Sequence, residues 1–200
     1  MQGNRLVSTL VAVMALLGGM GIALWALPRQ ASVPEGGRPA LGMRHGLTLL
    51  KTPTPAPAVA FTDGSGREVH LSDWRGRLLV VNLWATWCTP CVREMPSLNR
   101  LAETLDREKF AVIAISEDKN TETARQFLEK NGLDHLAPYF DPGLTLSRAL
   151  NVNGLPSTLL IDPEGQVFAR VIGMTEWDSP EWIERLESWR SPVTTDRNQK

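Results

Sequence analysis

The spacing of apolar side chains divides the chain into three stretches. Leu6 to Leu27 is apolar throughout apart from Ser8 and Thr9. At about 1.5 Å per residue a helix of that length spans roughly 33 Å, enough to cross a hydrocarbon core of about 30 Å. Arg5 and Arg29 bracket the run, and Trp25 stands where an interfacial aromatic sits. A cleaved signal peptide has a shorter apolar core followed by a small-x-small site. The run instead ends in Leu24-Trp25-Ala26-Leu27-Pro28, so an uncleaved signal anchor over 6–27 is expected, with residues 1–5 on the cytoplasmic side. Ala15, Gly19 and Ala23 form a small-residue row of the kind that pairs helices, but such rows are common by chance and a monomer is expected.

Pro28 to Pro57 holds six of the fourteen prolines and four glycines. That composition predicts an extended, solvated tether. A short helix over Ala40 to Leu50 is the alternative, weakened by Gly42 and Gly46. Met43 and His45 are soft donors, but two of them on a tether point to solvated side chains rather than a copper site.

From residue 58 the pattern becomes strand and helix in alternation. Val59–Phe61 and Glu68–Leu71 flank the turn Asp63-Gly64-Ser65-Gly66, which reads as a hairpin. Leu78 to Trp84 is a nearly continuous apolar run, typical of a strand buried on both faces. A helix follows through Leu105, with Leu98, Leu101 and Leu105 on one face and Pro96 expected to kink it. Phe110 to Ser116 reads as a second buried strand, and Thr121 to Lys130 as a helix stopped at Asn131-Gly132. A short helix over Leu144 to Leu150, strands at Ser157–Ile161 and Val167–Ile172, and a helix from Pro180 to Trp189 complete the domain. This order predicts an α/β domain over 58–190, a mixed sheet with helices on both sides, followed by a flexible tail over 191–200.

Composition narrows the function. The 200 residues carry 21 Lys and Arg against 22 Asp and Glu. This near-neutral balance lacks the basic stripe that nucleic-acid binding requires. Cys88 and Cys91 are the only cysteines, too few for a four-ligand zinc site or a disulfide-dense scaffold.

Their placement is the strongest chemical signal. Cys88-Thr89-Pro90-Cys91 lies between a buried strand and a helix. Cys88, at the helix N-terminus, faces free N–H groups and the positive end of the helix dipole, both of which favour a thiolate. Cys91, one turn further in, is shielded. Cys88 therefore reads as the nucleophile and Cys91 as the resolving thiol. A structural disulfide is the blander alternative, but so short a loop removes little unfolded-state entropy. Half of a zinc site is another, without a second cysteine pair to complete it.

Asn82-Leu83-Trp84-Ala85-Thr86-Trp87-Cys88, with Cys91, Glu94-Met95-Pro96 and Gly154-Leu155-Pro156-Ser157-Thr158, resembles the thioredoxin superfamily. The resemblance is to its membrane-anchored TlpA/ResA-like branch of thiol-disulfide oxidoreductases and runs from about Pro57 to Trp189. Gly173-Met174-Thr175-Glu176-Trp177 is similar to the TlpA group in particular. The resemblance implies a thioredoxin fold outside the cytoplasmic membrane, acting mainly as a reductant; no cofactor and no metal are expected. It makes Pro156 a cis-proline that turns Leu155 toward an extended substrate, and it puts Trp87 and Pro90 at the substrate-facing surface with Trp84 in packing. It gives Glu94 the task of exchanging a proton with Cys91. A solvated Glu94 paired with Arg93 or Arg100 is the alternative. Asn82 departs from cytoplasmic thioredoxin, which has a buried Asp there, and so shifts proton handling to Glu94 or to water. Val81 and Ala85 stand where a peroxide-reducing branch has Pro and Thr. Implied partners are a membrane thiol donor of the DsbD or CcdA kind and clients such as apocytochrome c, a copper-assembly factor or an oxidase subunit. A dithiol oxidase and a Cu(I)-handling module that uses the two thiolates remain as alternatives.

Overall fold

The computed structural model describes residues 46–190. The expected anchor at 6–27, the first part of the tether and the tail at 191–200 lie outside the described residues. Among the described residues no helix is long and apolar enough to cross a membrane.

One eight-stranded mixed sheet organises the domain. Its strands are β1 (Gly46–Pro55), β2 (Ala60–Asp63), β3 (Glu68–His70), β4 (Leu78–Trp84), β5 (Phe110–Ser116), β6 (Tyr139–Phe140), β7 (Ser157–Ile161) and β8 (Gln166–Ile172). They lie in the order β1-β8-β7-β4-β5-β6-β2-β3. The helices are α1 (Thr89–Thr104), α2 (Thr121–Lys130), α3 (Thr145–Ala149) and α4 (Pro180–Arg190). β4 runs parallel to β5 and antiparallel to β7, and every residue of β4 is buried. Because side chains alternate along a strand, β4 feeds two cores. Leu78, Val80 and Trp84 join the cluster with α1 and α4, while Leu79, Val81 and Leu83 join the one beneath α3 and the β2–β3 hairpin. Asn82 has the parity of the first set, so a polar carboxamide faces the active-site helix.

The tether prediction needs correction at its C-terminal end, and so does the helix alternative over Ala40 to Leu50. Gly46–Pro55 is a strand, paired antiparallel with β8 from Gly46↔Ile172 to Pro55↔Gln166, with an irregularity between Leu49 and Thr54. It lies at the sheet edge, where Pro53 and Pro55 cost no ladder bond to a further neighbour. Tyr139–Phe140 is a second strand that the pattern did not predict. It is two residues long, and its place comes from pairing with β5 and β2.

The α1 face follows from its sequence. Cys91, Glu94, Met95, Leu98, Leu101 and Ala102 are buried, a stripe at three- and four-residue intervals. Pro96 falls on the exposed side. Pro96 leaves the carbonyl of half-buried Val92 without its intrahelical donor, and the helix nevertheless continues to Thr104.

Candidate active site

Cys88 caps α1. Its backbone is extended, and its Sγ accepts the Cys91 N–H at 3.3 Å. One of the free N–H groups of the first helical turn, that of Cys91, is thus satisfied by this sulfur. Pro90 lies within that turn, where a missing N–H removes nothing from the helix. The two cysteines form a disulfide with their Cα atoms 5.2 Å apart. Cys88 is 5% exposed and Cys91 fully buried, so an incoming thiolate meets Cys88 first. Trp87, beside it, is 69% exposed, whereas Trp84 is buried against Phe127 with ring centres 5.4 Å apart.

The turn between β4 and α1 is held from β5. Asp118 accepts the Thr86 N–H at 2.9 Å and the Thr86 hydroxyl at 2.7 Å, and Ser116 Oγ donates to the same carboxylate at 2.8 Å. On the other side, Leu83 pairs with Ser157 and Asn82 with Thr158. This register brings the start of β7, and the Leu155–Pro156 peptide before it, to the edge of the sheet that carries the cysteines. That peptide is cis. Pro156 is buried and Leu155 half-buried, packing against both cores. Pro156 accepts the Gly173 N–H at 3.0 Å.

Glu94 lies one turn beyond Cys91, with only 1% of its surface exposed. Asn82 Nδ2 donates to its Oε1 at 2.7 Å and also to Thr158 Oγ1 at 2.9 Å. The Thr175 N–H donates to Oε2 at 3.0 Å, and the Trp177 indole N–H to the same oxygen at 3.4 Å. Burial pushes the carboxyl up from the ordinary 4.5 to about 7, against the opposing pull of the Asn82, Thr175 and Trp177 donors. A carboxyl that titrates near neutrality can take or return a proton.

The solvated alternative for Glu94 does not hold. Arg100 pairs with Glu176 and Asp178 of the loop after β8, not with Glu94. Ser97 completes the attachment, donating to the Glu94 carbonyl at 2.8 Å and accepting the Trp177 N–H at 3.1 Å. Glu94, Ser97 and Arg100 recur every three residues along one helix face and hold residues 175–178 through their side chains. Buried Trp177 in turn packs on Trp182 of α4, ring centres 4.8 Å apart.

Of the residues that the sequence singles out, Pro90, Cys91 and Glu94 sit on α1, Cys88 caps it with Trp87 just before, and Leu155 and Pro156 enter β7. The sequence did not identify Asp118 or Thr158 as site residues, nor Thr175 and Trp177 as donors to Glu94. Trp177 carried a weak signal, an aromatic in a polar loop after the last strand. Thr158 and Thr175 lie within the motifs that carry the resemblance but were not assigned a role, and Asp118 is a polar residue that no local pattern distinguishes.

Comparison with known proteins agrees with this geometry. Residues 53–170 match the AhpC/TSA family. The chain is 33% identical over 141 residues to the thiol-disulfide oxidoreductase ResA of Geobacillus kaustophilus, covering 70% of this chain and 80% of that protein. It is 27% identical to ResA of Bacillus thuringiensis over 97% of this chain and 99% of the relative. Among solved structures, a candidate thiol:disulfide interchange protein DsbE from Chlorobium tepidum superposes with a TM-score of 0.61 at 28% identity, covering 70% of this chain and 99% of that one. With a helix-capping cysteine pair, a buried glutamate behind it and these relatives, the chain belongs to the AhpC/TSA family of the thioredoxin superfamily, among its TlpA/ResA-like thiol-disulfide oxidoreductases.

Proposed function

We propose that this oxidoreductase works as a protein-disulfide reductase, tethered to the bacterial cytoplasmic membrane by residues 6–27 with its catalytic domain in the periplasm. The observation that carries the reading is Glu94, buried one turn behind Cys91 and poised to ionise near pH 7. The reduced Cys88 thiolate attacks a client disulfide, forming a mixed disulfide and releasing one client thiolate. Cys91 gives its proton to Glu94 and attacks Cys88 Sγ. The second client thiolate leaves, and the Cys88–Cys91 disulfide carries away the two electron equivalents of oxidation. Exchange at the less shielded sulfur, followed by resolution from the fully buried one, fits the order of exposure of the pair.

A membrane thiol donor of the DsbD or CcdA kind would return the pair to the dithiol. Confinement near the membrane raises the effective concentration toward clients there. The clients in this reading are cysteine pairs awaiting haem in apocytochrome c, or awaiting copper in an assembly factor or oxidase subunit. Val81 and Ala85 are buried apolar side chains, which favours disulfide over peroxide chemistry in this branch.

Trapping tests the proposal. In the tethered protein, Cys91→Ser leaves Cys88 unable to release its client, and the mixed disulfides identify what it holds. Apocytochromes would place the protein in haem attachment, and copper-assembly factors or an oxidase subunit in oxidase maturation. Failure to trap any client beyond those of the unmodified protein would refute the reductase reading.

A further inference from the structure

Beside the Leu155–Pro156 peptide lies a cavity of about 250 Å³ that the exchange chemistry does not use. One side of it comes from the loop after α3, from Asn151 to Gly154, and the other from β7 and β8, where Ser157 pairs with Ile172 and Leu159 with Arg170. Asn151 turns the loop with a left-handed backbone, φ 52°, which asparagine tolerates better than most residues. Ser157 Oγ donates to the Gly154 carbonyl at 2.6 Å and fixes the two sides to each other. Gly154 and Ser157 bracket Leu155 and Pro156 in the chain, so the cavity borders the path that an extended client takes along Leu155 in the proposed reading.

Arg170 is the only charged residue in the lining. It is half-buried, and its Nη1 donates to the Leu150 carbonyl at 2.5 Å. Among the described residues it forms no ion pair, whereas Arg100, Arg125 and Arg185 each meet a carboxylate. A guanidinium carries five N–H donors, so the tie to Leu150 leaves most of the fork free. That tie would need only one neutral donor, and it does not account for a charge in the cavity wall. Partial burial strengthens the attraction of Arg170 for an anion over that of an exposed arginine. Its planar fork matches a carboxylate, which accepts two parallel N–H groups.

We propose that this cavity is a subsite for an acidic side chain of the client, an Asp or Glu close in sequence to the cysteine that Cys88 attacks, held by the Arg170 guanidinium. The proposal rests on the reductase reading and adds a charge preference to it. An extended client rises about 3.3 Å per residue, so about four residues on either side of its cysteine cover about 13 Å. Its side chains point alternately to opposite faces, so only an acid at a fixed offset from the cysteine gains the contact. Arg170 thereby selects among disulfides that Cys88 would otherwise treat alike.

The test uses the full-length protein in a non-ionic detergent, reduced with dithiothreitol and then freed of it. Its substrates are short peptides with a central cysteine held as the mixed disulfide with mercaptoethanol. Each carries Asp, or Asn as its uncharged match, at one position up to about four residues before or after the cysteine. Exchange yields the peptide thiol and mercaptoethanol while the Cys88–Cys91 dithiol becomes the disulfide. Stopped-flow measurement gives the second-order rate constant, and the ratio of Asp to Asn is taken within each protein variant, which cancels any change in the reactivity of Cys88. At one offset the Asp peptide should react about tenfold faster with the unmodified protein, the gain expected for a hydrogen bond between charged groups. The advantage should persist in Arg170→Lys, which keeps the charge. It should vanish in Arg170→Gln, whose amide can still donate to the Leu150 carbonyl. No advantage at any offset overturns the proposal, and so does one that survives in Arg170→Gln, because the acid would then be read elsewhere. Loss of the advantage in Arg170→Lys as well overturns it too, since the shape of the cavity and not its charge would then decide. Each of these results leaves the reductase reading standing, because the peptides still exchange. Failure to reduce any peptide disulfide overturns both.

Discussion

Replacing Glu94 by Gln should make the oxidised protein more stable, and more so as the pH rises. A carboxyl that ionises at 4.5 in the unfolded chain and at about 7 in the fold binds its proton more tightly when folded. Below the lower value both states are protonated and nothing is lost. Between the two, the unfolded chain releases its proton while the fold retains it, so stability falls with rising pH. Above about 7 both states are ionised and the loss is constant, about 3 kcal/mol. Glutamine cannot ionise and so escapes this loss. Its Oε1 can still accept from the Thr175 N–H and the Trp177 indole N–H. Urea unfolding with the disulfide intact, repeated at several pH values, measures the difference. The variant should gain little at about pH 4 and up to about 3 kcal/mol at about pH 8.5. A constant offset between the two profiles at all pH values would refute the reasoning, since it would mean that Glu94 ionises no differently in the fold.

Other substitutions separate the supports of the site. Asp118→Ala removes charge-assisted bonds to the Thr86 N–H and hydroxyl and should cost about 2–3 kcal/mol in denaturant unfolding. Arg100→Ala breaks an exposed pairing with Glu176 and Asp178 and should cost under about 1 kcal/mol in the same assay, less at high salt. Trp87→Ala, at a site 69% exposed, should leave the melting temperature nearly unchanged. It should slow reaction with protein disulfides more than with a small aromatic disulfide in stopped-flow measurements, and equal slowing of both would count against a client-facing role.

The strands and helices around the disulfide were legible because their signals are local. β4 reads as a continuous apolar run, α1 as a stripe at helical spacing, and the turn at 63–66 as a cluster of Asp and Gly. The cysteine pair declares its chemistry by its spacing and by its place between strand and helix. β1 was hidden by its own prolines, which suggest a tether until the partner β8 and the free edge are known. β6 is too short to show any period.

Residues 78–116 thus carry within themselves the strand, the capping cysteine, the helix and the next strand, since hydrophobic period, capping and dipole act over a few residues. The fold alone decides the acidity of Glu94. Its donors come from Asn82, Thr175 and Trp177, and its burial comes from a sheet and a loop remote in the chain. A carboxyl's proton affinity depends on the water and dipoles around it, and those are known only once distant segments have packed.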